Sequence, residues 1–380
     1  MEILTLRTLA AIAAIAVIVA VLWDAFETIV LPRRVMRRYR FARAFFKATW
    51  MPWSWVARRL SAKRRERWLS FYGPLSLIAL LATWATAIMF AYALLHFGLH
   101  DRVSTAYNPG FSTYLYLSGT TLFTLGLGDV VPTEASGRAL VVLEAGMGFG
   151  FLALVIGYFP VVYQAFSRRE AQITLLDARA GSPPTATELL RRNMDQDGTE
   201  ISDVLREWER WAAELMESHL SYPVLCYFRS QHDNESWLSA LTAILDSCAF
   251  VIGSMEGRAR RQAELTFAMA RHAVVDLAQT FSTPPRSLAE DRLPTPEFKR
   301  LSNTLCSMSI AVKKGTEVEQ RVRELREMYE PYVTALSELL QMPMPAWRRE
   351  DRPDNWQTSA WGKISGGSAL AEDLRQDEHL

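Results

Sequence analysis

Between two long apolar runs lies the stretch TTLFTLGLGDVVP, residues 120–132. Its chemistry is in its backbone. Gly126 and Gly128 alternate with Leu125 and Leu127, and Thr124 and Asp129 close the two ends. A ring of backbone carbonyls can replace the water around a dehydrated cation. Aiming successive carbonyls at one axis requires unusual backbone angles at alternate residues, and glycine reaches positive φ without a side-chain clash. In this reading the carbonyls of Thr124, Leu125, Gly126, Leu127 and Gly128 bind the ion. The Thr124 hydroxyl adds an oxygen at the inner end, and the leucines pack behind the strand. Asp129 stands at the outer mouth, where it attracts cations or ties the strand to the helix before it.

Such a strand must be held by its neighbours, because non-helical backbone at membrane depth survives only when buried in protein or lining water. Residues 108–124 read as a short helix that dips in and stops, with Ser112 or a neighbour as its cap. Its negative end would point at the cation. Apolar runs at about 8–31, 71–97 and 138–166 are each long enough for a hydrocarbon core of ~30 Å. Pro74 falls near the start of the second run, where a helix tolerates proline. Thirteen Lys and Arg residues between the first two runs, against Glu66 alone, place that segment in the cytoplasm. The basic SRRE after the third run agrees. The N-terminus is then outside and the glycine-rich loop faces outward. Trp50, Trp53 and Trp55 among the arginines suggest an amphipathic helix lying on anionic lipid headgroups, over residues 33–67.

The sequence TLGLGD resembles the filter signature of potassium channels, T-[VIL]-G-[YFL]-G-D. The spacing onward through Pro132, Gly137 and Arg138 to Gly148 resembles the outer mouth, inner-helix start and hinge of the pore-domain family, over about residues 74–166. Leu125 replaces the usual valine and Leu127 the usual tyrosine, which removes a ring hydroxyl that braces the filter. The resemblance implies an all-α membrane protein with three spans, a re-entrant pore helix and a filter loop. It also implies K+ as the transported ion at the filter carbonyls and a homotetramer, because one chain carries one loop. It makes Gly148 a hinge. Pro160 would bend or break the third span near its cytoplasmic end, with Val155, Ile156 and Phe159 as a hydrophobic constriction.

Charges at membrane depth are functional candidates. Glu144 would hydrogen-bond Thr120, Thr121 or Ser118 behind the filter, either as a pH-sensitive group or as a brace. Asp24 and Glu27 share a helical face and would pair with Arg33, Arg34 or another arginine. His96 and His100 are placed at the outer surface.

The rest of the chain reads as a helical bundle, residues 168–343, after a linker at 178–188. A tail at 344–380 looks disordered. The apolar helix at 236–255 carries Asp246 and suits a bundle core. Residues 193–204 lack the glutamate that a calcium loop needs, so Asp197 or Thr199 is expected to cap a helix there. Asp233 or Asn234 is expected to cap the next apolar helix. The domains are therefore 1–32, 33–70, 71–167, 168–343 and 344–380. Three scattered cysteines, Cys226, Cys248 and Cys306, give neither a disulfide framework nor a zinc site. No nucleotide-binding glycine motif or cofactor is indicated. A net charge of +1 gives no case for nucleic acid. The expected function is a potassium channel. The alternatives are a weakly selective cation channel, or a non-conducting membrane-anchored sensor or scaffold; an enzyme is not expected.

Overall fold

A computed structural model describes residues 2–31, 40–105, 109–195, 197–232, 234–288, 290–307 and 312–348. Arg33, Arg34, Asn108, Asp233 and nearly all of the tail lie outside the described residues. The chain divides into two units, Met1–Gln164 and Ala165–Leu380.

The first unit is built on long helices. Helix α1 is Glu2–Ala25, α2 is Phe41–Ala57 and α3 is Ala62–Leu99, followed by the short α4, Phe111–Leu122, and by α5, Ala135–Ala180. Helix α3 begins within the basic segment, well before the apolar run, so Pro74 lies inside it and not near its start. The proline leaves one backbone acceptor of the preceding turn without its usual donor, yet the helix runs on. Small residues let α1 approach α3: Ala11, Ala14 and Ile18 pack against Ile88, Ala91, Tyr92 and Leu95, with Leu122 of α4 in the same cluster. Nearer the other end, Leu80, Leu81 and Trp84 of α3 enclose Ala25 and Ala42. Two short strands, β1 at Val103–Ser104 and β2 at Val131–Pro132, pair antiparallel and join the end of α3 to the segment after the filter.

Among the described residues, four helical segments have the length and apolarity to cross a membrane: Thr5–Val30, Ala62–Leu99, Ala135–Ala180 and Trp237–Ser254. The last belongs to the second unit and is 94% buried. It is the central helix of that unit, α8, surrounded by α6 (Ala186–Asn193), α7 (Thr199–Ser221), α9 (Gly257–Thr280), α11 (Thr316–Glu327) and α12 (Glu330–Leu340), with α10 at Thr295–Ser307. Its Asp246 explains why it differs from a lipid-facing span. The carboxylate is fully buried, accepts from Arg292 at 2.7 and 3.2 Å, and takes the Tyr329 hydroxyl. Arg292 also reaches Glu330 at 2.9 Å. A buried charge is tolerated when paired in this way. The expected linker at 178–188 is not one. Helix α5 extends to Ala180 and most of residues 180–190 is buried, including Leu189 and Leu190.

Candidate functional site

Helix α4 starts at Phe111, later than expected, with Gly110 before it and no side-chain cap. Its C-terminal end explains the start of the filter. Leu125 N–H donates to the Thr120 carbonyl at 2.8 Å, and Thr124 N–H to Thr121 at 3.0 Å. These paired bonds form a Schellman cap, which needs a left-handed residue at Thr124. Thr124 takes it, at φ +57°, although it has a Cβ. The left-handed region recurs at Gly126 (φ +57°) and Gly128 (φ +78°), with Leu125 and Leu127 outside it. Every second residue from 124 to 128 thus has the backbone angle that the sequence argument requires.

The side chains depart from expectation. Leu125 and Leu127 are each 63% exposed within one chain and do not pack behind the strand. Val142, Leu143, Phe149 and Ile156 of α5 are likewise exposed within one chain. Asp129 accepts from the Tyr116 hydroxyl of α4 at 2.8 Å, so it ties the strand to the pore helix. Tyr116, which sequence reasoning missed, supplies a ring hydroxyl from the helix where Leu127 supplies none.

Behind the filter, Gly148 meets the end of α4 directly. A Cβ built there would lie 2.0 Å from the Leu122 carbonyl oxygen. Helix α5 is unbroken through both Gly148 and Pro160, so the expected break at Pro160 is not seen in this conformation. An apolar cavity of about 440 Å³ is lined in part by Ile78, Leu122, Thr124, Leu152, Val155 and Phe159. Ile156 is exposed.

Glu144 is fully buried and accepts from the Ser118 hydroxyl, not from Thr120 or Thr121. His96 is also fully buried, which corrects its expected place at the surface. The cause is the end of α3. His100 is left-handed at φ +59° and Asp101 N–H bonds back to the His96 carbonyl at 3.1 Å. That turn folds Asp101 over His96, with Oδ2 at 2.6 Å from Nδ1. Histidine and aspartate five residues apart across a helix end were the available sequence signal. His96 Nε2 faces Glu144 Oε2 at 3.9 Å.

Of the two acids near the other end of α1, Asp24 caps a helix and Glu27 faces an arginine, as expected. Asp24 accepts from Ala42 N–H at 3.1 and 3.3 Å, capping the start of α2, and from the Trp84 indole at 3.1 Å. Acid at a helix N-terminus is favourable. Glu27 accepts from Trp23 Nε1 at 2.7 Å and lies 3.9 Å from Arg40 Nε. Of the three tryptophans, Trp50 packs edge-on against Tyr72 and Trp53 stacks on Trp68 at 4.3 Å. Each indole N–H of that second pair donates to the other residue's carbonyl at 3.2 Å. Only Trp55 is largely exposed, with Arg59 over its ring at 3.3 Å.

In the second unit the expected caps give way to others. Asp195, not Asp197 or Thr199, accepts from Glu200 N–H at 3.1 Å, and Ser236 caps α8 through Ser239 N–H at 3.0 Å. Cys226 and His219 are fully buried. Burial raises the Cys226 thiol far above its usual range, which suits packing. Arg169 of α5 donates to His219 Nε2 at 3.1 Å and to the Leu225 and Phe228 carbonyls at 2.9 and 3.0 Å. Burial first, then the Arg169 charge, hold His219 well below the ordinary imidazole value. No cluster of three or more metal-ligating side chains occurs among the described residues.

A re-entrant helix and left-handed alternating strand between two long apolar helices define a pore module. Residues 77–165 match the family described as "Ion channel", Ion_trans_2. This segment is similar to an ion-channel pore domain, and the chain is an all-α membrane protein. Its general role is ion transport across a membrane. The chain is also similar to "Uncharacterized membrane protein YdjJ" of Bacillus subtilis (strain 168), at 23% identity over 258 residues, 66% of this chain and 74% of the relative. No solved structure matches it.

Proposed function

We propose that the chain is a potassium channel in which four copies bring their 124–128 strands around one axis. The observation that carries this reading is the left-handed alternation at Thr124, Gly126 and Gly128, set at the end of a half-buried helix. Carbonyls so arranged replace the hydration shell of K+. The exposed apolar side chains of Leu125, Leu127 and α5 suit contact with further copies. Tyr116 on Asp129 braces the mouth in place of the hydroxyl that Leu127 lacks. Phe159 and Ile156, with Pro160 near the end of the apolar part of α5, form the constriction, and Gly148 lets α5 seat against the pore helix. The N-terminus is outside and the second unit cytoplasmic. Arg58, Arg59, Lys63, Arg64 and Arg67, with Trp55, contact anionic lipid headgroups.

The test is potassium flux from liposomes loaded with the purified chain, beside the variant Gly126→Asp. Flux that vanishes in the variant while the oligomer persists supports the reading. Equal flux in both refutes the filter assignment. No flux from an intact tetramer favours a non-conducting sensor.

A further inference from the structure

His96 of α3 and Glu144 of α5 turn buried polar atoms toward each other. His96 Nε2 and Glu144 Oε2 each lack a partner, and they lie 3.9 Å apart with both side chains at zero exposure. The neighbours fix what can sit between them. Asp101 Oδ2, 2.6 Å from His96 Nδ1, accepts the Nδ1 proton and leaves Nε2 turned toward Glu144. On the far side of Glu144, the Ser118 hydroxyl reaches both Oε1 and the Met89 carbonyl, the latter at 2.7 Å. A hydroxyl has one proton, and a carbonyl can only accept. When Ser118 donates to Oε1, a proton on Glu144 is left to Oε2, where it faces His96 Nε2.

We infer that His96 and Glu144 form a proton-binding site behind the pore helix, where one shared proton holds α3, α4 and α5 together. The proton sits on Glu144 facing the Nε2 lone pair, or on Nε2 facing the carboxylate. The proton count is the same in both forms. When it leaves for the solution, a lone pair faces a buried carboxylate with no donor between them, an expensive arrangement. The pair then separates, and the helix that ends in the filter loses its brace.

The surroundings supply few other titrating groups. From α3, Tyr92 lies within electrostatic reach of Glu144. From α4, Tyr114 donates to the Asp101 carbonyl at 2.8 Å. From α5, Gly137 packs on the Asp101 carboxylate, and Arg138 is taken up by the Pro132 carbonyl at 3.3 Å. From α1, Arg7 is bound to His100 at 2.6 Å and lies over Phe97. Asp101, 2% exposed at the loop end of α3, is the route to solution on the filter side.

The effect on current rests on the channel reading; the proton site does not. The experiment therefore has two readouts on the full chain. In bilayers, pH on the filter side is raised by about two units from neutrality, over which a single-proton site loses occupancy about tenfold per unit above its midpoint. Steady wild-type current is expected to fall at least severalfold. Glu144→Gln, whose amide donates to His96 and accepts from Ser118 without titrating, is expected to show the same current at both pH values. An infrared difference spectrum over the same step reports loss of one proton from a buried carboxyl or imidazolium. That difference is expected to vanish in Glu144→Gln. A pH response of current or of spectrum that survives in Glu144→Gln overturns the proposal. If the wild type carries no current, the channel reading fails, and the spectrum still decides the proton site.

Discussion

Gly148→Ala separates two uses of one glycine. The added methyl carbon would sit 2.0 Å from the Leu122 oxygen, 2.9 Å from its carbon and 3.1 Å from its Cα. All three are backbone atoms, so no rotamer change relieves the clash. The helices must part by about 1 Å, the amount that brings the first contact to ordinary overpacked distance, at a typical cost of ~1–3 kcal/mol. The α4 end is stiff, because Phe123, Thr124 and Leu125 are all bonded back to its last turn. That places the cost near the upper figure. Replacing glycine by alanine also gains about 1 kcal/mol of helix propensity. Gly146→Ala supplies the control, since a Cβ there meets nothing within 4 Å of the chain. The propensity gain is common to both variants, so their difference isolates the clash. We expect Gly148→Ala to unfold in detergent at a lower temperature than Gly146→Ala, by the equivalent of ~3 kcal/mol, and to lose current because Leu122 abuts the 124–128 strand. Equal stability of the two variants would refute the packing argument. Altered gating at unchanged stability would return Gly148 to the role of a hinge.

Other consequences are open to direct measurement. Tyr116→Phe removes the 2.8 Å bond to Asp129. A hydrogen bond of ~1 kcal/mol corresponds to roughly fivefold faster run-down of current, and an unchanged time course would remove Tyr116 as a brace. Asp246→Ala leaves buried Arg292 with only Glu330 and the Pro345 carbonyl. Breaking such a pair costs about 3–5 kcal/mol, read as a marked drop in the unfolding temperature of the full chain. His219 is neutral when folded and protonates near the ordinary value of 6.5 when unfolded. The unfolded chain then binds more protons, so stability is present above 6.5 and is lost as pH falls from there toward the depressed folded value. His219→Gln should flatten that acid limb in a pH series of melting curves; an unchanged limb would assign it to other groups.

The backbone of the 124–128 strand was legible because its requirement is local. Glycine at alternate positions is the backbone requirement written in residue types, and the same region shows left-handed angles at Gly126 and Gly128. Thr124 was not legible as left-handed, since its conformation comes from the helix cap and not from its own preference. Glu144 was legible as a buried carboxylate, and Ser118 was among its named partners. His96 was placed at the surface and Asp101 was missed because a left-handed turn at His100, invisible to periodicity, folds one over the other. The tryptophans of α2 read as lipid anchors by composition. Trp50 and Trp53 are instead spent on α3, because Tyr72 and Trp68 come within stacking range only after the chain turns. The segment 178–188 looked like a linker from its Gly, Ser and Pro content, yet tertiary packing buries it.

The most direct test of the central claim is the reversal potential of the purified full-length chain in a planar bilayer, with potassium on one side and sodium on the other. The proposed potassium-channel function predicts a reversal potential close to that of potassium alone. A reversal potential near zero would contradict it, and would mean that Leu127, even with Tyr116 on Asp129, leaves the filter too loose to choose.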